Sequence, residues 1–162
     1  MKRLLYLSAT LAALAAPAHA RDSLGIFGDW GAFRDPDERR CYAIAMPTKP
    51  SSLREFEPFA TIGTWPDEGV RGQFHIRLSR SASAAGSIRL VVGNTRFELT
   101  GASGNGWAED RQMDAAIIAA LRSASKMTVS ARDTNGRNFT DEYSLQGAAT
   151  AMDAATVGCA RL

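Results

Sequence analysis

The chain has 162 residues, which is one domain's worth and enough to bury a sizeable core. Its 19 Lys and Arg stand against 17 acids, and taking out Lys2 and Arg3 at the extreme N-terminus leaves 17 against 17. A formally neutral body lacks the basic excess that nucleic acid or an anionic membrane surface would require, so neither is expected as a partner.

Residues 1–20, "MKRLLYLSATLAALAAPAHA", have the layout of a secretory signal peptide. Lys2 and Arg3 make a basic start, Leu4 to Ala16 an apolar core, and "AHA" a small-x-small cleavage site before Arg21. The apolar core is shorter than the roughly 20 residues a spanning helix needs, so no stable membrane insertion is expected after cleavage. The predicted mature protein is a single β-rich domain, residues 21–162, periplasmic or secreted. In that oxidising setting the two cysteines, Cys41 and Cys159, read as a disulfide. Two separate buried thiols are the alternative, and the spacing excludes a CxxC redox pair.

In chain order, "SLGIFGDWGAF" offers Ile26, Phe27, Trp30 and Phe33 as core residues. "RDPDERR" is a charged turn, and "CYAIAM" an uncharged strand expected to be buried on both faces. "PTKPSSLREFEP" is a proline-rich loop, "FATIGTW" a strand and "PDEGVRG" another loop. "QFHIRLS" alternates, with Phe74, Ile76 and Leu78 pointing inward and His75 and Arg77 outward. "IRLVVGNTRFEL" predicts a hairpin with a two-residue Gly93-Asn94 turn, pairing Leu90 with Phe97, Ile88 with Leu99 and Arg89 with Glu98. "GASGNGW" reads as a flexible loop leading to Trp107.

"AEDRQMDAAIIAALRSAS" predicts a helix capped by Asp110, with Met113, Ile117, Leu121 and Ala124 as its apolar stripe. "KMTVSAR" and "NFTDEYSL" form a second hairpin around Asn135-Gly136. A two-residue turn there would mix the faces, so an odd loop of three or five residues is predicted; register follows the buried face. "GAATAMDAATVGC" predicts a short helix with Ala148, Met152, Ala155 and Cys159 on one side. The sum is a mainly β (α+β) domain: an antiparallel β-sandwich or rolled sheet with two helices and one disulfide.

Several landmarks in order, "DWGAF", "RCYAIAMP", "VVGNTRFELTG", "GWAED", "DEYSLQGAATAMDAA" and the final Cys159, carry a family likeness. The chain resembles the invasion-associated locus B family of bacterial exported proteins from about Trp30 to Cys159. The resemblance implies a small periplasmic or secreted protein of mostly β structure. Some relatives are associated with host-cell invasion, and others look like envelope proteins of no assigned role. It brings no established catalytic residues, and this chain departs from it in a long loop at Pro47 to Pro58.

The residue chemistry points the same way. With His19 in the leader, His75 is the one histidine left for a Ser-His-Asp triad; its strand phase points it to the surface beside Arg77, and no GxSxG elbow occurs. One histidine and two oxidised cysteines do not make a metal site, so no metal and no cofactor are expected. Glu109 and Asp110 are explained by helix capping. Asp141 and Glu142 face opposite sides of a strand. Asp141 shares the apolar phase of Phe139, Tyr143 and Leu145, so it bonds a nearby arginine or sits at the sheet margin. Trp30, Trp65 and Trp107 are expected in the core rather than along a ligand groove. "NFT" at Asn138 fits a glycosylation pattern, which a strand in a bacterial protein would not use. The function expected is non-enzymatic binding of another protein or envelope component. The alternatives are a small periplasmic hydrolase using carboxylates, and a periplasmic inhibitor or chaperone-like module.

Overall fold

The computed structural model describes residues 21–49, 51–84 and 86–160, so the predicted signal peptide lies outside the described residues. Within them the strands are β1 (Asp22–Phe27), β2 (Trp30–Asp35), β3 (Arg40–Ala45), β4 (Phe59–Trp65) and β5 (Val70–Arg77). They continue as β6 (Ile88–Val92), β7 (Thr95–Ala102), β8 (Asn105–Trp107), β9 (Lys126–Arg132) and β10 (Asn138–Ser144). Helix α1 (Arg111–Ser123) precedes β9, and α2 (Ala148–Cys159) follows β10. All pairings are antiparallel, in the order β1-β2-β3-β4-β5-β8-β7-β6-β9-β10. The rolled sheet is therefore the fold; α2 packs against β1 to β4, and α1 against β5 to β7.

Each local prediction has a physical outcome. The β6–β7 hairpin has the expected register, Ile88 with Leu99, Arg89 with Glu98 and Leu90 with Phe97. In the β9–β10 hairpin Asn138 pairs with Arg132, leaving the five-residue connection 133–137. That odd length sets Ala131, Val129 and Met127 opposite Phe139, Asp141 and Tyr143, all on the buried side. Asp110 caps α1 by accepting from the Met113 amide at 2.8 Å, and Ile117 and Leu121 are its buried residues. Full burial of each is worth about 2–3 kcal/mol. Asp114, one turn in, accepts the Phe74 amide at 2.8 Å and ties the helix to β5.

Three expectations are corrected. "SLGIFGDWGAF" is a hairpin in which Trp30 is fully buried while Ile26 is 68% exposed, because strand alternation puts them on opposite faces. β3 is not buried on both faces: Cys41, Ala43 and Ala45 face the core, and Tyr42 and Ile44 are half-buried on the outside. "GASGNGW" is a tight hairpin joining β7 to β8, its turn made by Ser103 and Gly104 at φ 51° and 79°. Positive φ at both central residues is the backbone of a type I′ turn, whose twist matches the strands it joins.

The ends of the sheet meet at one corner. The Trp30 indole Nε1 donates to the Ser144 carbonyl at 2.9 Å, and the Asp29 amide to Gln146 at 3.0 Å. Gly147 starts α2 at φ 87°, and a Cβ there would stand 1.8 Å from the Phe27 carbonyl oxygen. Only glycine fits both the conformation and the approach. The chain just after β3 covers the β10 edge, with Lys49 bridging to Glu142. Covering an edge in this way blocks unwanted strand pairing.

Candidate functional site

The sequence-predicted residues separate into structural and surface groups. Cys41 and Cys159 form a disulfide with a Cα–Cα distance of 5.7 Å across 118 residues, pinning α2 to β3. Both cysteines are buried, at 0% and 5% exposure. Asp141 is also fully buried and does lie at the sheet margin, on the end strand β10, but among the described residues it bonds main-chain amides and no arginine. Its Oδ1 accepts the Ser51 amide at 2.9 Å and its Oδ2 the Ser79 amide at 3.0 Å. Two main-chain donors satisfy the carboxylate and fasten the β3–β4 and β5–β6 connections to β10. Glu142 faces outward and pairs with Lys49 at 3.5 Å.

A second buried carboxylate, Asp133, does not stand out in the sequence; it braces its own β9–β10 turn and takes one distant partner, Arg80. It accepts from the Asn135 and Arg137 amides, each at 2.9 Å, and from Arg80 Nη1 at 3.0 Å. Arg80, 5% exposed, also donates through Nε to the Leu53 carbonyl at 2.6 Å. The Arg137 amide, with the Asn135 amide and the two guanidiniums, holds the Asp133 carboxyl below the usual carboxylate range. Among the described residues no group of three or more His, Cys, Asp or Glu is placed to hold a metal.

The tryptophans divide. Trp30 is core, as expected, but Trp65 and Trp107 lie on the outer face of the sheet, Trp107 being 37% exposed. They border a groove of about 460 Å³ that crosses β3, β4, β5 and β8. Cross-strand register builds it: Tyr42 lies opposite Gly63, which lies opposite Gln73, and Ile44 opposite Thr61, which lies opposite His75. Trp107 follows opposite His75 on β8. At the antiparallel strand spacing, three steps span about 14 Å.

Small residues make the floor. A Cβ on Gly63 would come within 2.5 Å of the Trp65 six-membered ring, so that ring occupies the space a side chain would take. On one side His75 contacts Trp107 and Phe59, with ring centroids 5.1 and 5.7 Å away. On the other, Phe33 stacks on Tyr42 at 5.7 Å and the Arg40 guanidinium lies over the Tyr42 ring at 5.2 Å. His75 is thus half-buried in an aromatic cluster rather than a plain surface residue. Burial lowers its pKa, outweighing the bond between Nε2 and Asn105 Oδ1 at 3.0 Å, so it is neutral at pH 7.

The two arginines that line the groove are paired, while Arg77, after His75 on β5, donates to the Ser103 carbonyl at 3.0 Å. Arg21 and Arg40 share Asp35, at 3.2 and 3.6 Å, and Arg40 also meets Glu38 at 3.5 Å. A second recess of about 550 Å³ lies beyond β6 and β9, with Arg89, Ser130, Arg132 and Thr140 at its rim.

Comparison with known proteins places this architecture. Residues 85–156 match the family model described as Invasion associated locus B (IalB) protein. That is the family the sequence resembles. The IalB match runs from β6 into α2, and leaves out the strands that carry most of the groove. A solved structure extends the likeness over those strands: the crystal structure of invasion associated protein b from Bartonella henselae. It superposes with a TM-score of 0.59 at 13% identity, covering 82% of this chain and 95% of that one, and it supports the fold. No curated protein matches the sequence.

Proposed function

We propose that this is an exported, non-enzymatic binding protein whose working surface is the outer face of β3, β4, β5 and β8. The carrying observation is the groove there, where aromatic side chains gather on the solvent side of a sheet whose other face is fully used by the core. Exposed aromatic clusters of this kind mark binding surfaces. The carboxylates that could have served hydrolysis are committed elsewhere: Asp110 caps a helix, Asp133 holds a turn, and both Asp141 oxygens accept main-chain amides. The secretory layout of residues 1–20 and the disulfide support an exported life, periplasmic or beyond, and among the described residues no helix is long and apolar enough to cross a membrane. The partner is another protein or a component of the cell envelope, in keeping with the IalB likeness.

The test is a crosslinked pull-down from the native cell envelope with wild type, Trp107→Ala and, as a control on the other half of the sheet, Arg89→Ala. One reproducible partner, lost with Trp107→Ala and kept with Arg89→Ala, is the expected result. Turnover of glycoside, ester or peptide substrates that disappears with Asp141→Asn would overturn the non-enzymatic reading.

A further inference from the structure

We infer that the groove's ligand is a neutral pyranose chain: an oligosaccharide lying across the outer sheet between Trp65 and Trp107. This deepens the proposed function and rests on it.

The backbone of the floor narrows the choice first. β3 and β4 pair with a neighbour on both sides, so these floor strands have their main chain in the ladder. β5 pairs with β4 along its length and with β8 over His75–Arg77, its Phe74 amide being taken by Asp114. A peptide adding as an extra strand needs a free edge, and here a ligand meets side chains alone. Charge narrows it further. Arg21 and Arg40, the arginines that line the groove, pair with Asp35 and Glu38, so neither is left to select a phosphate or an acidic polymer. The burial of His75 keeps it uncharged as well.

What remains is a mixture of ring faces and neutral hydrogen-bonding groups. Trp65, Trp107 and Tyr42 supply the rings; Gln73, Thr61 and the His75–Asn105 pair supply donors and acceptors between them. A pyranose has that composition in reverse, with apolar C–H faces and a rim of hydroxyls. Aromatic side chains with a polar handle suit such a ligand, which is half apolar and half wet. The groove is open along the sheet, not an enclosed chamber that would bury most of a small ligand. Its roughly 14 Å width across four strands suits a chain of rings rather than a single sugar. Gly63 gives a built-in control: Trp65 takes its position from the missing side chain, and Gly63→Ala would push the indole away without touching the core.

The test is a titration of the purified protein with cellohexaose, chitohexaose and the α-linked maltohexaose, followed by the indole N–H signals of the three tryptophans in two-dimensional NMR. Expected is a saturable shift of the Trp65 and Trp107 signals with at least one of these chains, while Trp30, sealed in the core, stays in place. Trp107→Ala and Gly63→Ala should each weaken binding roughly tenfold or more, with unchanged circular dichroism. Which chain binds tells N-acetylated from plain rings and α from β linkage. Silence of both groove signals at millimolar sugar, or binding that is indifferent to both variants, overturns the glycan assignment. The pull-down then separates the two claims: a protein partner lost with Trp107→Ala leaves the binding face standing, and an empty pull-down removes both.

Discussion

Asp141 sits in the apolar phase of its strand, fully buried, with Phe139 and Tyr143 on the same face, and accepts the Ser51 and Ser79 main-chain amides. Removing it strands both donors. Asp141→Ala should therefore cost about 3 kcal/mol in urea unfolding, against a much smaller loss for Glu142→Ala on the opposite, solvated face. Its neighbour Tyr143 shows the converse: the ring is fully buried, and its hydroxyl has no hydrogen-bond partner among the described residues. Tyr143→Phe should fall within about 1 kcal/mol of wild type, or exceed it, because only an unsatisfied polar atom is removed. Asp133 carries a pH dependence. Its folded pKa lies below the unfolded value of about 3.9, so its contribution is complete above that pH and is lost as pH falls through the folded value. Asp133→Asn should lower stability at neutral pH and flatten the fall in stability below about pH 4, read from thermal unfolding across pH.

At the scale of elements, the sequence was most readable where the local signal and the buried face agree. The Gly93-Asn94 turn and the alternation around it specify the β6–β7 register, and the apolar phase of Met127, Val129, Phe139 and Tyr143 demands an odd β9–β10 loop. Helix α1 follows from its cap and stripe; Asp110→Ala should cost about 1 kcal/mol, detectable as a lowered denaturant midpoint with the slope unchanged. The misread elements share a cause. "CYAIAM" carries no charge, yet Tyr42 and Ile44 face outward, because an apolar outer face and a core face look alike in sequence. "GASGNGW" is glycine-rich both as a loop and as a hairpin with a two-residue turn, and the pairing of Ala102 with Asn105 decides between them.

Over the whole molecule the disulfide closes a 118-residue separation, linking the last helix to the third strand. In the chain-entropy account such a closure stabilises by up to about 5 kcal/mol. Cys41→Ala, Cys159→Ala and the double variant should lose stability by similar amounts in urea unfolding, since each removes the same link. Two free thiols titrated in native, unreduced protein would overturn it. The sequence by itself determined a β-rich class, sandwich or rolled sheet, the two helices, the cysteine pair, the β6–β7 register and an odd β9–β10 loop. These rest on periodicity, turn chemistry and compartment, all of which act locally or by counting. Only the tertiary structure decided that Asp141 holds main-chain amides from 62 and 90 residues away, and that Trp65, Trp107, Tyr42 and His75 share one groove. Strand order and roll bring those groups together. The period-two pattern says only that a side chain leaves one face of its strand, and not which neighbours meet it there.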